Sequence, residues 1–182
     1  MDELYHASEN QDLVVLEPRG IGKRDPQDEP RVYATDDEAY ASMFLVKSDD
    51  SWTLKFGLCA DNLDAHWFIC ISDKERYLEK DKGGVIYALA KDQFVPVPNC
   101  GTPEWMSTQP VNTVKKKIYA SGIDAMIEHN VQVYFSTKEE LEAIRKDRDV
   151  QKRLQILNKL ENENEKRGAS NPVKQYLTQV NS

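Results

Sequence analysis

Long apolar segments are missing from this sequence, and so is the leader of a secreted protein. No apolar run approaches the roughly 20 residues that a transmembrane helix needs. The first six residues have neither the basic region nor the apolar region of a secretory signal peptide. We therefore expect a protein that neither crosses a membrane nor is exported.

Cysteine is also scarce. Cys59, Cys70 and Cys100 form an odd set without a closely spaced pair, which argues against a disulfide framework. Cys59 and Cys70 lie in apolar, strand-like runs, where a free cysteine acts as a small buried hydrophobe. Reduced cysteines indicate a reducing compartment, so the predicted location is the cytoplasm.

Positive charge is outweighed by negative charge. The chain has 24 lysines and arginines against 31 aspartates and glutamates, and its net charge is −7. A nucleic-acid-binding surface needs clustered cations to neutralise phosphates, yet the one dense basic run is three lysines at 115–117. His66 and His129 lack metal-ligand spacing. These features predict neither a nucleic-acid partner nor a metal site.

The composition is nevertheless that of a folded protein. The 182 residues are 40% hydrophobic and 30% charged, which suits one domain with a buried core. Strand-like apolar runs dominate from residue 52 to 97, and a short helix is predicted over 123–129. We expect the α+β class, with one domain over 1–136 and a helical tail over 137–182.

The tail begins at Thr137. Thr137 followed three residues later by Glu140 forms a capping box, the signature of a helix N-terminus. The charged helix expected from here to about residue 167 has a single apolar stripe, made of Leu141, Ile144, Val150, Leu154 and Leu157. We expect this stripe to pack on the body of the protein or to form a homodimer.

Three short segments have the residue types of a binding site. The first is a strand at 4–7 that bears His6. The second is a strand at 31–35 that bears Tyr33 and leads into a predicted helix. The third is a late strand that begins at Glu104. A neutral histidine can accept a hydrogen bond from a hydroxyl group, and a tyrosine can stack on a flat ring. A glutamate can stabilise a positive charge.

This order of segments resembles the His-Tyr-Glu pattern of the ADP-ribosyltransferase family, over roughly residues 3–135. The chain resembles the small bacterial members, such as the rifampicin-modifying enzymes, more than the large poly-ADP-ribose polymerases. The resemblance implies a split antiparallel β-core with a few helices. It also implies that NAD is the substrate, and that ADP-ribose passes to a protein or small-molecule acceptor with release of nicotinamide.

The resemblance further implies a part for each site residue. In the family, the motif histidine hydrogen-bonds a ribose hydroxyl, and the backbone of the next residue faces the nicotinamide carboxamide. His6 and Ala7 would play these parts, with Ser8 beside them. The motif tyrosine, here Tyr33, stacks on the nicotinamide ring. The late acidic residue, here Glu104, stabilises the positive charge that develops as nicotinamide leaves.

Some assignments stay open. The family usually has glycine after the histidine, where this chain has Ala7. The added methyl group would narrow the space for the nicotinamide ring. Asp92 and Glu128 are alternative candidates for the acidic position. The helix after Tyr33 is expected over 37–45, and either residue 35 or residue 36 supplies its N-cap.

Two other functions fit the same pattern. One is a binding module of the ADP-ribosyltransferase type that no longer turns NAD over, which the Ala7 departure favours. The other is a relative of the RNA 2′-phosphotransferases, in which arginines hold a phosphate. Arg19, Arg24 and Arg31 are available for that part, although the net negative charge argues against an RNA substrate.

Overall fold

The chain forms two compact units in the computed structural model. The first unit contains residues 1–45 and 82–122, and the second contains residues 46–81 and 123–182. Each unit joins a β-sheet with at least one helix, which confirms the expected α+β class. The division differs from the expected boundary after residue 136. The described residues are 3–20, 29–60, 63–98 and 101–180.

The first unit is built on a seven-stranded antiparallel sheet, with strands numbered along the whole chain. In spatial order they are β2 (Val15–Leu16), β9 (Val111–Tyr119), β6 (Gly84–Ala90), β1 (Glu3–Ser8), β3 (Val32–Thr35), β8 (Glu104–Ser107) and β7 (Val95–Pro96). The helix that follows β3 is α1 (Glu38–Ser42), and a single 3-10 turn follows β6. The strands predicted around His6, Tyr33 and Glu104 are thus confirmed.

The ladder between β1 and β3 is short. β1 pairs with β6 along its whole length, from Glu3 to Ser8, whereas it pairs with β3 at Tyr5 opposite Thr35. On its other side, β3 pairs with all four residues of β8. The histidine strand and the tyrosine strand therefore meet at a short ladder in the interior of the sheet, which we call the seam between β1 and β3.

The interior strand β6, between β9 and β1, contributes much of the core of the first unit. Its apolar residues are buried and pack with those of β1, β3 and β9. The hydroxyl of Tyr87 accepts from the Leu13 amide at 3.1 Å and donates to the Asn10 carbonyl at 2.9 Å, which ties down the loop after β1. Gly83 precedes the strand with φ at +69°, where a Cβ would lie 2.1 Å from the Tyr119 carbonyl oxygen. Only glycine fits at this position.

The second unit has a four-stranded mixed sheet. Its spatial order is β11 (Glu161–Asn162), β10 (Gln132–Phe135), β5 (Leu63–Ile71) and β4 (Thr53–Ala60), and β5 and β10 are parallel. Its helices are α2 (Lys74–Lys80), α3 (Gly122–Glu128, whose first residue belongs to the first unit), α4 (Lys138–Lys146), α5 (Val150–Leu157), α6 (Glu163–Lys166) and α7 (Pro172–Val180). The short helix predicted over 123–129 is confirmed, and α2 lies in the stretch expected to be rich in strands, where no helix was predicted.

The prediction of one continuous C-terminal helix is wrong. The capping box of Thr137 and Glu140 does begin α4, but this helix ends at Lys146. Asp149 then caps α5, because its carboxylate accepts from the Gln151 amide at 2.9 Å. Aspartate competes for backbone donors in this way and starts a new helix rather than continuing the old one.

The predicted apolar stripe completes the core of the second unit. Its members Leu141, Ile144, Leu154 and Leu157 are fully buried and pack with sheet residues such as Phe68 and Tyr134. The helices after residue 137 therefore form one core with β4, β5 and β10, as expected of a stripe that packs on the body. Pairing of two chains through this region remains a prediction.

Burial accounts for Cys70, which is fully enclosed in the second unit. Removal from water raises the pKa of its thiol, because the thiolate would lose its solvation there. The predicted buried role is confirmed for this residue. Cys100 and the side chain of Cys59 lie outside the described part of the chain.

Among the described residues, no helix combines the length and the apolar character needed to cross a bilayer.

Candidate functional site

A cavity of about 250 Å³ lies in the first unit at the seam between β1 and β3. Four of the five residues predicted for the site line it, namely His6, Ala7, Tyr33 and Glu104. These residues come from three strands and are separated by up to about a hundred positions in sequence. The fifth, Ser8, lines a neighbouring cavity described below.

His6 bridges the seam between the two strands. Its Nδ1 lies 2.7 Å from the backbone carbonyl oxygen of Tyr33. A carbonyl oxygen can only accept, so Nδ1 carries the proton, and in the neutral ring Nε2 has a free lone pair. Burial lowers the pKa of His6, the carbonyl contact opposes this change, and the positive charge of Arg19 adds to it. A neutral imidazole with Nε2 as an acceptor suits a hydroxyl group of a ligand.

Glu104 lies in a row of residues across three strands. It is opposite Thr35 in the ladder of β3 and β8, and Thr35 is opposite Tyr5 in the ladder of β1 and β3. Residues directly opposite each other in an antiparallel sheet point to the same face, and all three line the first cavity. The tyrosine hydroxyl of Tyr40 donates to Oε1 of Glu104 at 2.8 Å.

The alternative acidic candidates lie elsewhere. Asp92 is in the 3-10 turn after β6, and Glu128 ends α3 in the second unit. Among the described residues, Glu104 is the one carboxylate that lines the first cavity. Glu104 therefore lines the same cavity as His6 and Tyr33, whereas Asp92 and Glu128 are not among the residues that line it.

Helix α1 is positioned by its own N-terminus. The hydroxyl of Thr35 accepts from the Asp37 amide at 3.1 Å, and the Asp37 carboxylate accepts from the Tyr40 amide at 3.1 Å. The N-cap is therefore Asp37, and neither of the two residues expected for that role. The helix is also shorter than expected, because only residues 38–42 are helical.

Two aromatic residues on the cavity wall were not predicted as site residues. Tyr40 is 8% exposed, and its ring contacts the ring of Phe44 edge to face, with centroids 5.0 Å apart. Phe44 is 45% exposed. A tyrosine and a phenylalanine four residues apart share one side of a helical turn, and this spacing was the signal available in the sequence.

The strand that bears Glu104 is fixed by its neighbour Trp105. The indole Nε1 donates to the carboxylate of Asp36 at 3.1 Å. The ammonium group of Lys91 lies 3.9 Å from the centroid of the indole ring, within range of a cation–π interaction. These contacts attach β8 to the turn before α1 and to the turn after β6.

A second cavity of about 440 Å³ shares His6 and Tyr33 with the first. Ser8, Arg19 and Arg31 also line it. The backbones of Arg19 and Arg31 exchange two hydrogen bonds of 3.0 Å, which brings the two side chains to one part of the unit. Guanidinium groups bind phosphate oxygens through paired donors. Arg24, the third arginine considered for such a part, lies outside the described residues.

The chain matches no protein-family model, no curated protein and no solved structure in comparisons with known proteins. The chemistry of the two cavities is thus the basis for any functional conclusion. The first cavity offers aromatic walls, a neutral imidazole and one carboxylate. The second offers two guanidinium groups and a hydroxyl. Together they offer an aromatic surface, a hydrogen-bond acceptor and donors for an anionic group.

Proposed function

We propose that this protein transfers ADP-ribose from NAD to an acceptor and releases nicotinamide. The observation that carries the proposal is that His6, Ala7, Tyr33 and Glu104 line one cavity. The sequence pattern selected these residues without reference to a cavity.

The binding roles follow from the chemistry of each group. Tyr33 stacks on the nicotinamide ring, which is flat and electron-poor. His6 accepts a hydrogen bond from a ribose hydroxyl at Nε2, because its Nδ1 already donates to the Tyr33 carbonyl oxygen. The diphosphate extends toward Arg19 and Arg31 in the second cavity, which shares a wall with the first.

In the chemical step, Glu104 lies beside the ribose. When the bond between nicotinamide and ribose breaks, its electron pair leaves with nicotinamide, and positive charge builds on the sugar. A carboxylate stabilises this charge more in the transition state than in the ground state, and only such a difference raises turnover. The nucleophilic atom of the acceptor then bonds to the ribose carbon, and its proton is released to solvent.

Calorimetry with NAD tests the binding part of this proposal. We expect wild-type protein to bind NAD, and His6→Ala to weaken binding about tenfold, the scale of one hydrogen bond removed from a buried site. His129→Ala, in the second unit, is the matched control and should bind as wild type does. Undiminished binding by His6→Ala would remove His6 from the site.

Nicotinamide release separates an enzyme from a binding module. We expect wild-type protein to release nicotinamide from NAD, slowly with water as the acceptor and faster with a true acceptor. If NAD binds and no acceptor gives release, the protein is a binding module of the same fold. Absence of NAD binding would refute both versions of the proposal.

One observation favours a second candidate, the removal of a 2′-phosphate from RNA with NAD as co-substrate. Arg19 and Arg31 line a cavity that shares His6 with the first, and in this candidate they hold the 2′-phosphate of the RNA in place of the NAD diphosphate. An oligoribonucleotide with an internal 2′-phosphate tests this candidate. Nicotinamide release that requires the phosphorylated oligonucleotide, and not the plain one, would favour it over protein or small-molecule acceptors.

A further inference from the structure

The geometry points to Tyr40 as a positioning residue for Glu104, a role that rests on the proposed function. The phenolic hydroxyl donates to Oε1 of the carboxylate at 2.8 Å, a hydrogen bond of ordinary length to a charged acceptor. The second carboxylate oxygen, Oε2, then remains available for the ribose. We propose that this contact holds Glu104 in the conformation that the reaction requires.

Tyr40 is itself held firmly. Its backbone amide donates to the Asp37 carboxylate, and the backbone amide of Asp37 donates to the hydroxyl of Thr35. Its ring is buried and meets the ring of Phe44 edge to face. A tyrosine held at its backbone amide, its ring and its hydroxyl has few side-chain rotamers available.

Glu104 without this partner would be less ordered. A glutamate has three rotatable side-chain bonds, and Glu104 is only half-buried. Thr35 lies opposite Glu104 in the β3–β8 ladder and also starts the chain of contacts that sets Tyr40. The same strand residue therefore fixes the distance between the donor and the acceptor. Such support keeps a reacting group within the narrow limits that efficient catalysis needs.

Kinetics of Tyr40→Phe test the role in the reaction. This variant removes one oxygen atom and keeps the ring. We expect nicotinamide release to fall about tenfold in kcat, the effect of losing one hydrogen bond to a charged group, with KM within about twofold. The matched control is Tyr176→Phe in the second unit, because Tyr176 is also 8% exposed and its hydroxyl accepts from Gln151 at 2.6 Å. The control should release nicotinamide as wild type does.

A double-mutant cycle shows whether Tyr40 acts through Glu104. In the Glu104→Ala background, Tyr40→Phe should cause no further loss of nicotinamide release, because the acceptor of its hydrogen bond is already gone. A tenfold loss that persists in this background would overturn the inference. It would mean that Tyr40 contacts the substrate directly or supports the fold.

Unfolding of the same four proteins in urea gives a readout that does not need activity. We expect the changes in unfolding equilibrium constant to be non-additive by about tenfold, because the two side chains contact each other. If wild-type protein does not cleave NAD, the proposed function fails, and this cycle alone decides the inference. Additive effects in urea would show that the contact does not hold Glu104, and the inference would be wrong.

Discussion

The substitution Glu104→Gln is the sharpest test of the chemistry. It keeps the size of the side chain and an oxygen that can accept from Tyr40, but it removes the negative charge. NAD should bind almost as tightly as before, because the uncharged ground-state sugar gains little from the carboxylate. Nicotinamide release should fall strongly, because the developing positive charge loses its partner.

The magnitude follows from the position of Glu104. Removing one electrostatic stabiliser from an enclosed site costs about 100-fold to 1,000-fold in kcat. Glu104 is half-buried, and one of its oxygens is already engaged by Tyr40. Water and the tyrosine both reduce the field at the ribose, so we expect the low end of that range. The expected loss is about 100-fold, or about 2.7 kcal/mol in the activation free energy.

The assay compares nicotinamide release and NAD affinity for the wild type and three variants, Glu104→Gln and two controls. Asp92→Asn changes the alternative acidic candidate in the same way, and Glu9→Gln changes an exposed glutamate that does not line the first cavity. Both should behave as wild type. Equal release by wild type and Glu104→Gln would refute the assignment of the charge-stabilising role. A loss confined to Asp92→Asn would move that role to Asp92.

Two further predictions concern His6 and the core of the second unit. NAD affinity should stay constant from about pH 8 down to the ordinary histidine value of 6.5 and fall only below it, because burial keeps the pKa of His6 below that value and protonation removes its Nε2 acceptor. Calorimetry across this range checks the expectation, and affinity that rises on acidification would contradict it. Leu154→Ala should lower the free energy of unfolding in urea by about 2–5 kcal/mol, since Leu154 is fully buried. Leu78→Ala removes the same atoms from a side chain that is 48% exposed, so it should change the free energy of unfolding by no more than about 0.5 kcal/mol. Equal effects of the two substitutions would mean that the helical stripe does not pack as described.

The elements that bear the predicted site residues could be read from local pattern. The strands of His6 and Tyr33 were predicted from short runs of apolar and aromatic residues, and the structure has strands there. The capping box at Thr137 likewise marked the start of α4. These signals depend on residues a few positions apart, so a single sequence is enough to show them.

The division into two units could not be read in this way. The apolar stripe from Leu141 to Leu157 required some apolar surface to cover it, but many surfaces in the chain have that property. Only the folded structure shows that the stripe packs in the second unit, with sheet residues such as Phe68. The break between α4 and α5 was missed because charged residues suit a helix surface and a connecting turn equally well.

The sequence by itself determined the class of the fold and the order of histidine, tyrosine and glutamate strands. The contact between Tyr40 and Glu104 was decided by tertiary structure alone. The two residues are 64 positions apart, and no local pattern links a helical tyrosine to a later strand. The ladder of β3 and β8 brings Thr35 opposite Glu104, and the cap at Asp37 turns Tyr40 toward the same cavity. Strand pairing between distant segments depends on the packing of the whole sheet, and so the partner of Glu104 is visible only once the sheet has formed.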